Sequence, residues 1–336
     1  MNNFVNINNV SINTTDDFCL KAGSSSTIDS FYLFIISPIG FIGFILNLIC
    51  FIILVCQSRS TNANIIKYLQ IYSLNSCILC LLYGFMFITQ SPRFFSIIAF
   101  SDIGKLYRCK IFGYLSMTLY FFGNMLNILI VFDRLSVFLN EKLYNFNAKR
   151  SYTKCIIIFL ICIIINSPIL ISFKNENMIN STNTIDICEQ TLLADTTHSF
   201  VFNLMLYFLR DILTLIVEIM ITVLSYYYYA NKIKNIHEYH HVILFNSPNY
   251  IKITIKDDRK KGNQVLLMTI YLSIVSIVFH LMVSLVIYIG AKIDDKHIIQ
   301  YAALNLILVS SIGMKHFLNG FIIYKFMSKF NKKLRC

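Results

Sequence analysis

Three groups of residues could do chemistry in this 336-residue chain. Asp133 and Arg134 stand side by side in NILIVFDRLSVFL, the run from Asn127 to Leu139. An acid beside a guanidinium forms a charge-assisted pair that holds the arginine until another partner competes for it. A second group, Arg210, Asp211, Glu218, His280 and Lys315, is scattered through otherwise apolar stretches. The third is the run His237-Glu238-Tyr239-His240-His241. On a helix His237 and His241 share one face and could hold a metal ion, with Glu238 as a base.

The elements that must position these residues are membrane spans. Charged residues make up 14% of the chain and hydrophobic ones 56%, against about 25% charged in a soluble domain. Seven windows approach the roughly 20 apolar residues that cross a bilayer as a helix. They are Phe31–Cys56, Ile66–Thr89, Ile111–Leu139, Cys155–Phe173, Phe200–Ala230, Gln264–Ile289 and Ile298–Phe326. The fifth and seventh contain internal charges. The expected fold is an all-α membrane protein.

Residues 1–30 are polar and hold no apolar signal-peptide core, so the first span is expected to act as its own signal anchor. Basic residues set the orientation. With the N-terminus outside, the inner segments hold two, five, seven and five Lys and Arg, which is 19 of the 29. The net charge of +12 is therefore a positive-inside signature, and no nucleic acid is expected as a partner. Three glycosylation sequons, at Asn9, Asn13 and Asn180, fall on the outer side. Of ten cysteines only Cys19, Cys109 and Cys188 lie outside, where disulfides persist. Cys50, Cys56, Cys77, Cys80, Cys155 and Cys162 fall in or beside spans and read as packing residues.

Cys109 begins the third span, Arg134 ends it 25 residues later, and Cys188 follows the fourth span. Across essentially its whole length the chain resembles the rhodopsin-like (class A) G-protein-coupled receptors, and within them the invertebrate neuropeptide (FMRFamide-like) receptors. The resemblance implies a seven-transmembrane bundle over residues 31–326. An extracellular N-terminus over 1–30 and a short amphipathic eighth helix with cytoplasmic tail over 327–336 complete it. It implies a Cys109–Cys188 disulfide, and it makes Asp133 and Arg134 the G-protein-coupling pair, here followed by Leu135 where the family has tyrosine. A charge pair is tolerated at a helix end near water; at the bilayer centre each charge costs about 2.5–3.5 kcal/mol on insertion scales.

Asn47 matches the family's first-helix asparagine, and Asn75 stands where its buried aspartate should be. Asn319 matches the start of the seventh-helix Asn-Pro-x-x-Tyr segment; Gly320 replaces the proline and Ile323 the tyrosine. Phe330 fits an eighth helix, and Cys336 is a palmitoylation candidate. The fifth helix lacks its proline, the sixth lacks tryptophan and proline, and the chain has no tryptophan. Three expectations follow. Arg134 is restrained chiefly by Asp133, because Asp257 and Asp258 lie about two turns from the family's sixth-helix lock position near Gln264. Lys315 takes the place of the family's sodium ion, donating to Asn75, Asn319 and Ser310 or Ser311; the alternative is a lysine reaching toward the outer mouth. Asn124, Glu218 and His280 form a polar connector, or else are satisfied separately by backbone carbonyls.

Ser116 stands where amine receptors carry aspartate, which argues against an amine. Arg210 and Asp211, with Arg93, Lys105, Arg108 and Lys110 at the outer rim, suit a peptide of mixed charge; the alternative for Arg210–Asp211 is a structural ion pair. Lys315 lies two residues from the position of the retinal-binding lysine of opsins, which is Gly313 here. The expected function is a plasma-membrane receptor that binds an extracellular ligand and activates a heterotrimeric G protein, with no enzyme activity, cofactor or metal. A chemosensory small-molecule receptor is the second reading. A membrane zinc protease built on His237–His241 is the third, and it lacks a recognisable third ligand.

Overall fold

The structure is a computed structural model and describes residues 30–60, 64–90, 101–139, 151–178, 185–190, 208–243, 249–290 and 298–331. Long helices dominate it: α1 (Ser37–Ser60), α2 (Asn64–Gln90), α3 (Gly113–Leu139), α4 (Ser151–Ser172), α5 (Thr214–Ile243), α6 (Asn249–Gly290) and α7 (Ile298–Asn331). Among the described residues six helices are long and apolar enough to cross a membrane, the exception being α5. Glu218 and the tyrosine run from Tyr226 to Tyr229 dilute the apolar content of α5. The chain thus has the build of a multi-pass membrane protein.

Wide π-helical turns lead into three of these helices: Tyr32–Ile36 into α1, Tyr107–Phe112 into α3 and Phe208–Leu213 into α5. A short helix, Asp102–Leu106, precedes the second, and the Ser101 hydroxyl caps it by accepting from the Gly104 N–H at 3.1 Å. After α4 the strands β1 (Phe173–Met178) and β2 (Ile185–Gln190) pair antiparallel, with Asn175 opposite Cys188. β1 lies beside the Tyr107–Phe112 turn.

The packing is closest between α1 and α2. A Cβ on Gly40 would stand 2.5 Å from the backbone nitrogen of Gly84 and 2.7 Å from its Cα. Only glycine permits this approach, and the Ser37 hydroxyl uses it to donate to the Gly84 carbonyl at 2.9 Å. Small residues bring helices together where lipid offers no hydrophobic drive for association. α3 touches α2, α4, α5 and α6, and α7 packs on α6, α1 and α2. The outward faces are apolar, as with Ile42, Ile45 and Ile52 on α1 and Ile156, Leu160 and Ile164 on α4.

Within α4, Pro168 removes the N–H that would serve the Ile164 carbonyl. The neighbouring Ser167 hydroxyl donates to that carbonyl at 2.8 Å instead, so the helix continues to Ser172. α7 runs unbroken to Asn331. With Gly320 in place of a proline no backbone donor is missing there, and the helix has no break at 326–327. A separate eighth helix is therefore not seen among the described residues, and residues 332–336 lie outside them.

Candidate functional site

Two polar clusters occupy the interior. The first joins α3, α5, α6 and α7 and holds charge. Arg210 and Asp211 form an ion pair at 2.8 Å between an Arg210 terminal nitrogen and Asp211 Oδ2, with Nε at 2.9 Å from the same oxygen. The π turn Phe208–Leu213 carries both residues, and Asp211 is fully buried while Arg210 keeps a partly exposed edge. Two helical turns on, Glu218 Oε1 accepts from the Asn127 amide of α3. His280 of α6 stands between the two acids: Nε2 is 3.7 Å from Asp211 Oδ1 and Nδ1 is 3.8 Å from Glu218 Oε2. The Tyr120 ring meets the imidazole edge-on at 6.0 Å.

Lys315 enters this cluster from α7. Its side chain is completely buried, its Nζ donates to Asn124 Oδ1 and stands 5.2 Å from the centre of the Tyr120 ring. It lies within the fields of both Glu218 and Asp211. Two acids and two bases thus balance in formal charge, leaving His280 to decide the net value. Matching of this kind lowers the cost of burying charge, while Asp211 Oδ1, Glu218 Oε2 and both His280 nitrogens accept or donate no hydrogen bond among the described residues.

The geometry corrects two expectations. Asn124 is not joined to Glu218 or His280 by any observed hydrogen bond; it receives the ammonium of Lys315. Asn127, one turn later on α3, is the partner of Glu218. Lys315 likewise does not serve Asn75, Asn319, Ser310 or Ser311. Asn75 donates to the Leu119 carbonyl at 3.0 Å, Asn319 to the Tyr72 hydroxyl, and the two serines to carbonyls one turn back on α7. The reason is rotation about the helix axis. Lys315 and Asn319 are four residues apart and so differ by about 40°, which turns the long lysine toward α3 and the short asparagine toward α2. Lys315 does not reach toward an outer mouth either, because it is fully enclosed.

The second cluster joins α1, α2 and α7 and is neutral in composition. Asn47 Nδ2 donates to the Gly43 carbonyl at 2.8 Å and to the His316 carbonyl at 3.2 Å. Gly320 makes room for it: a Cβ there would stand 2.9–3.0 Å from three atoms of the Asn47 amide. Cys50 donates to the Gly320 carbonyl at 3.3 Å. Ser76 and the His316 Nδ1 share a 2.9 Å hydrogen bond.

At the far end of α3, Asp133 is fully buried and pairs with Arg134 at 2.9 Å. The Ser136 hydroxyl donates to the Asp133 carbonyl at 2.8 Å. Nearby, Ser151 of α4 donates to Asn64 Oδ1 of α2 at 3.1 Å and tethers the two helices at this level.

Ser116 is buried and makes a long 3.5 Å contact with the Gly113 carbonyl of its own helix; no observed contact joins it to Arg210 or Asp211. Cys109 lies in the Tyr107–Phe112 turn and Cys188 on β2, each of which contacts β1, and the side chains of both lie outside the described residues. The same holds for the side chains of His237, Glu238, His240, His241, Asp257 and Asp258. Asn9, Asn13, Asn180 and Cys336 lie outside as well. Among the described cysteines, five are buried and free, and Cys56 is exposed and free.

Sequence reasoning missed Asn127, Tyr72, Tyr120 and His316. Asn127 carried a usable signal, since it follows Asn124 by three residues and shares its face. The tyrosines carried none, because an apolar ring with one hydroxyl reads as packing until its neighbour is known.

No protein-family model matches the chain, and no curated protein matches it.

Proposed function

We propose that the chain is a divergent rhodopsin-like receptor of the plasma membrane, with an extracellular N-terminus, seven spans including α5, and an extracellular peptide as ligand. Binding drives activation of a heterotrimeric G protein. The observation that carries the reading is the buried Asp133 holding a partly exposed Arg134 at the end of α3. An arginine so held is available once its acid is displaced, and in this reading it then meets the G protein. The charged cluster lies toward the other end of the same helix. Arg210, with its partly exposed edge, is the group through which a charged peptide perturbs it. A ligand shifts the resting and active forms only by its differential affinity for them, and the cluster gives it four helices on which to act.

The test is expression in cells with a promiscuous G protein and a calcium readout, screened against a peptide library. A peptide response that is lost in Arg134→Ala at equal surface expression is the expected result. A response that survives that substitution overturns the reading, as does an N-terminal epitope that antibody reaches only after permeabilisation.

A further inference from the structure

His280 poses a stereochemical problem. Asp211 gives Oδ2 to Arg210 and turns Oδ1 to the imidazole. Glu218 gives Oε1 to Asn127 and turns Oε2 to the other side of the ring. The four facing atoms, Asp211 Oδ1, His280 Nε2, His280 Nδ1 and Glu218 Oε2, are all buried and have no hydrogen-bond partner among the described residues. The gaps are 3.7 and 3.8 Å, just beyond hydrogen-bond length. Each gap joins a ring nitrogen to a carboxylate oxygen, so each closes only with a hydrogen in it. A neutral imidazole has one N–H and one lone pair. In either tautomer one lone pair then faces one carboxylate, with no hydrogen to join the two atoms.

We propose that Asp211, His280 and Glu218 form a proton-binding site that clasps α6 to α5. One proton beyond the neutral imidazole fills the second gap, and both acids then hold α6 at a single residue. The proton belongs to the trio, since groups coupled this closely titrate together. The other groups facing the ring are Tyr120 from α3, Arg210 through Asp211, and Lys315 from α7, which acts on both acids. With the two cations offsetting the two acids, the trio's proton is the one excess positive charge of the cluster, and it sits between two carboxyl groups. Asp211 in the π turn and Glu218 in α5 both present a carboxyl oxygen to the same imidazole.

The site stands on this geometry, while its consequence for signalling rests on the receptor reading. If α5 and α6 part at their inner ends on activation, proton uptake resists that parting, and acid raises the peptide concentration needed for response.

The test needs neither ligand nor G protein. The full chain is purified into lipid nanodiscs and its thermal unfolding midpoint is followed between about pH 5 and 8. The proposed proton is lost when the trio comes apart on unfolding, so the proposal requires stability to fall as pH rises. The wild-type midpoint is expected to drop by about 2 °C or more across this range. His280→Phe is expected to remove that drop. Glu218→Gln is the sharper variant: its amide keeps an oxygen for Asn127 and places a permanent N–H toward His280 Nδ1, replacing the proton. It is expected to hold an acid-like midpoint at every pH, and it keeps the test open if His280→Phe fails to fold. A flat wild-type profile overturns the proposal, and so does a drop that persists unchanged in Glu218→Gln. Because the readout is unfolding, loss of the clasp and loss of the receptor reading are separately visible.

Discussion

The two interior clusters solve the same problem in different ways. Around Asn47, Asn75, His316 and Asn319 the polar groups are short, and each amide donates to a carbonyl or hydroxyl of a neighbouring helix or its own. Helices α1, α2 and α7 come close enough for this because glycines line their contacts. Around Asp211, Glu218, His280 and Lys315 the side chains are titratable: Arg210 pairs with Asp211, His280 faces both acids, and Lys315 donates to Asn124. A neutral cluster fails one bond at a time. A charged cluster fails as a unit, because removing one member strands the charge of another. The first is suited to a fixed frame, and the second to a place where helices exchange partners.

The comparison is broken most directly at Lys315. Lys315→Met leaves Asp211 and Glu218 with Arg210 as the remaining cation of the cluster and removes the donor to Asn124 Oδ1, and leaving buried charge less compensated is strongly destabilising. The unfolding midpoint in nanodiscs should fall furthest of all single variants here, and a fall no larger than that of Tyr72→Phe would erase the distinction between the clusters. Next is Gly40→Val, which forces side-chain atoms into the backbone of Gly84. Overpacking of this kind costs about 1–3 kcal/mol, read as a lower midpoint and reduced surface expression. Wild-type behaviour there would mean that α1 and α2 are not in such close contact.

Within the charged cluster, Glu218→Leu and Asn127→Leu should be strongly non-additive, with a coupling of about 0.5–3 kcal/mol in a double-mutant cycle of unfolding midpoints. Additivity would remove the bond between α3 and α5. Tyr72→Phe in the neutral cluster deletes one hydrogen bond to Asn319 and should cost about 1 kcal/mol. Asp133→Asn should have the smallest effect on stability, since the amide keeps an oxygen for Arg134, which is itself partly exposed. Its effect is on output instead: ligand-free G-protein signalling should rise at equal surface expression. Unchanged basal signalling would show that Asp133 does not restrain Arg134.

The sequence by itself determined that this is a helical membrane protein, because a span is a matter of length and apolar content along one stretch of chain. Six of the seven windows correspond to helices that are long and apolar enough to cross a membrane. Asp133 and Arg134 pair as chain neighbours, and Arg210 and Asp211, read from the sequence as pocket residues with a structural ion pair as the alternative, also pair with each other. Glu218 and His280 are expected from the sequence to meet with Asn124 as a connector; in the structure they face one another across 3.8 Å. Only the tertiary structure decided which asparagine each of the buried charges takes. Asn124 and Asn127 differ by one helical turn, and Lys315 and Asn319 by about 40° of rotation. The windows are far wider than such differences, so helix rotation and depth, set by how α3 packs among its neighbours, assign Lys315 to Asn124 and Glu218 to Asn127.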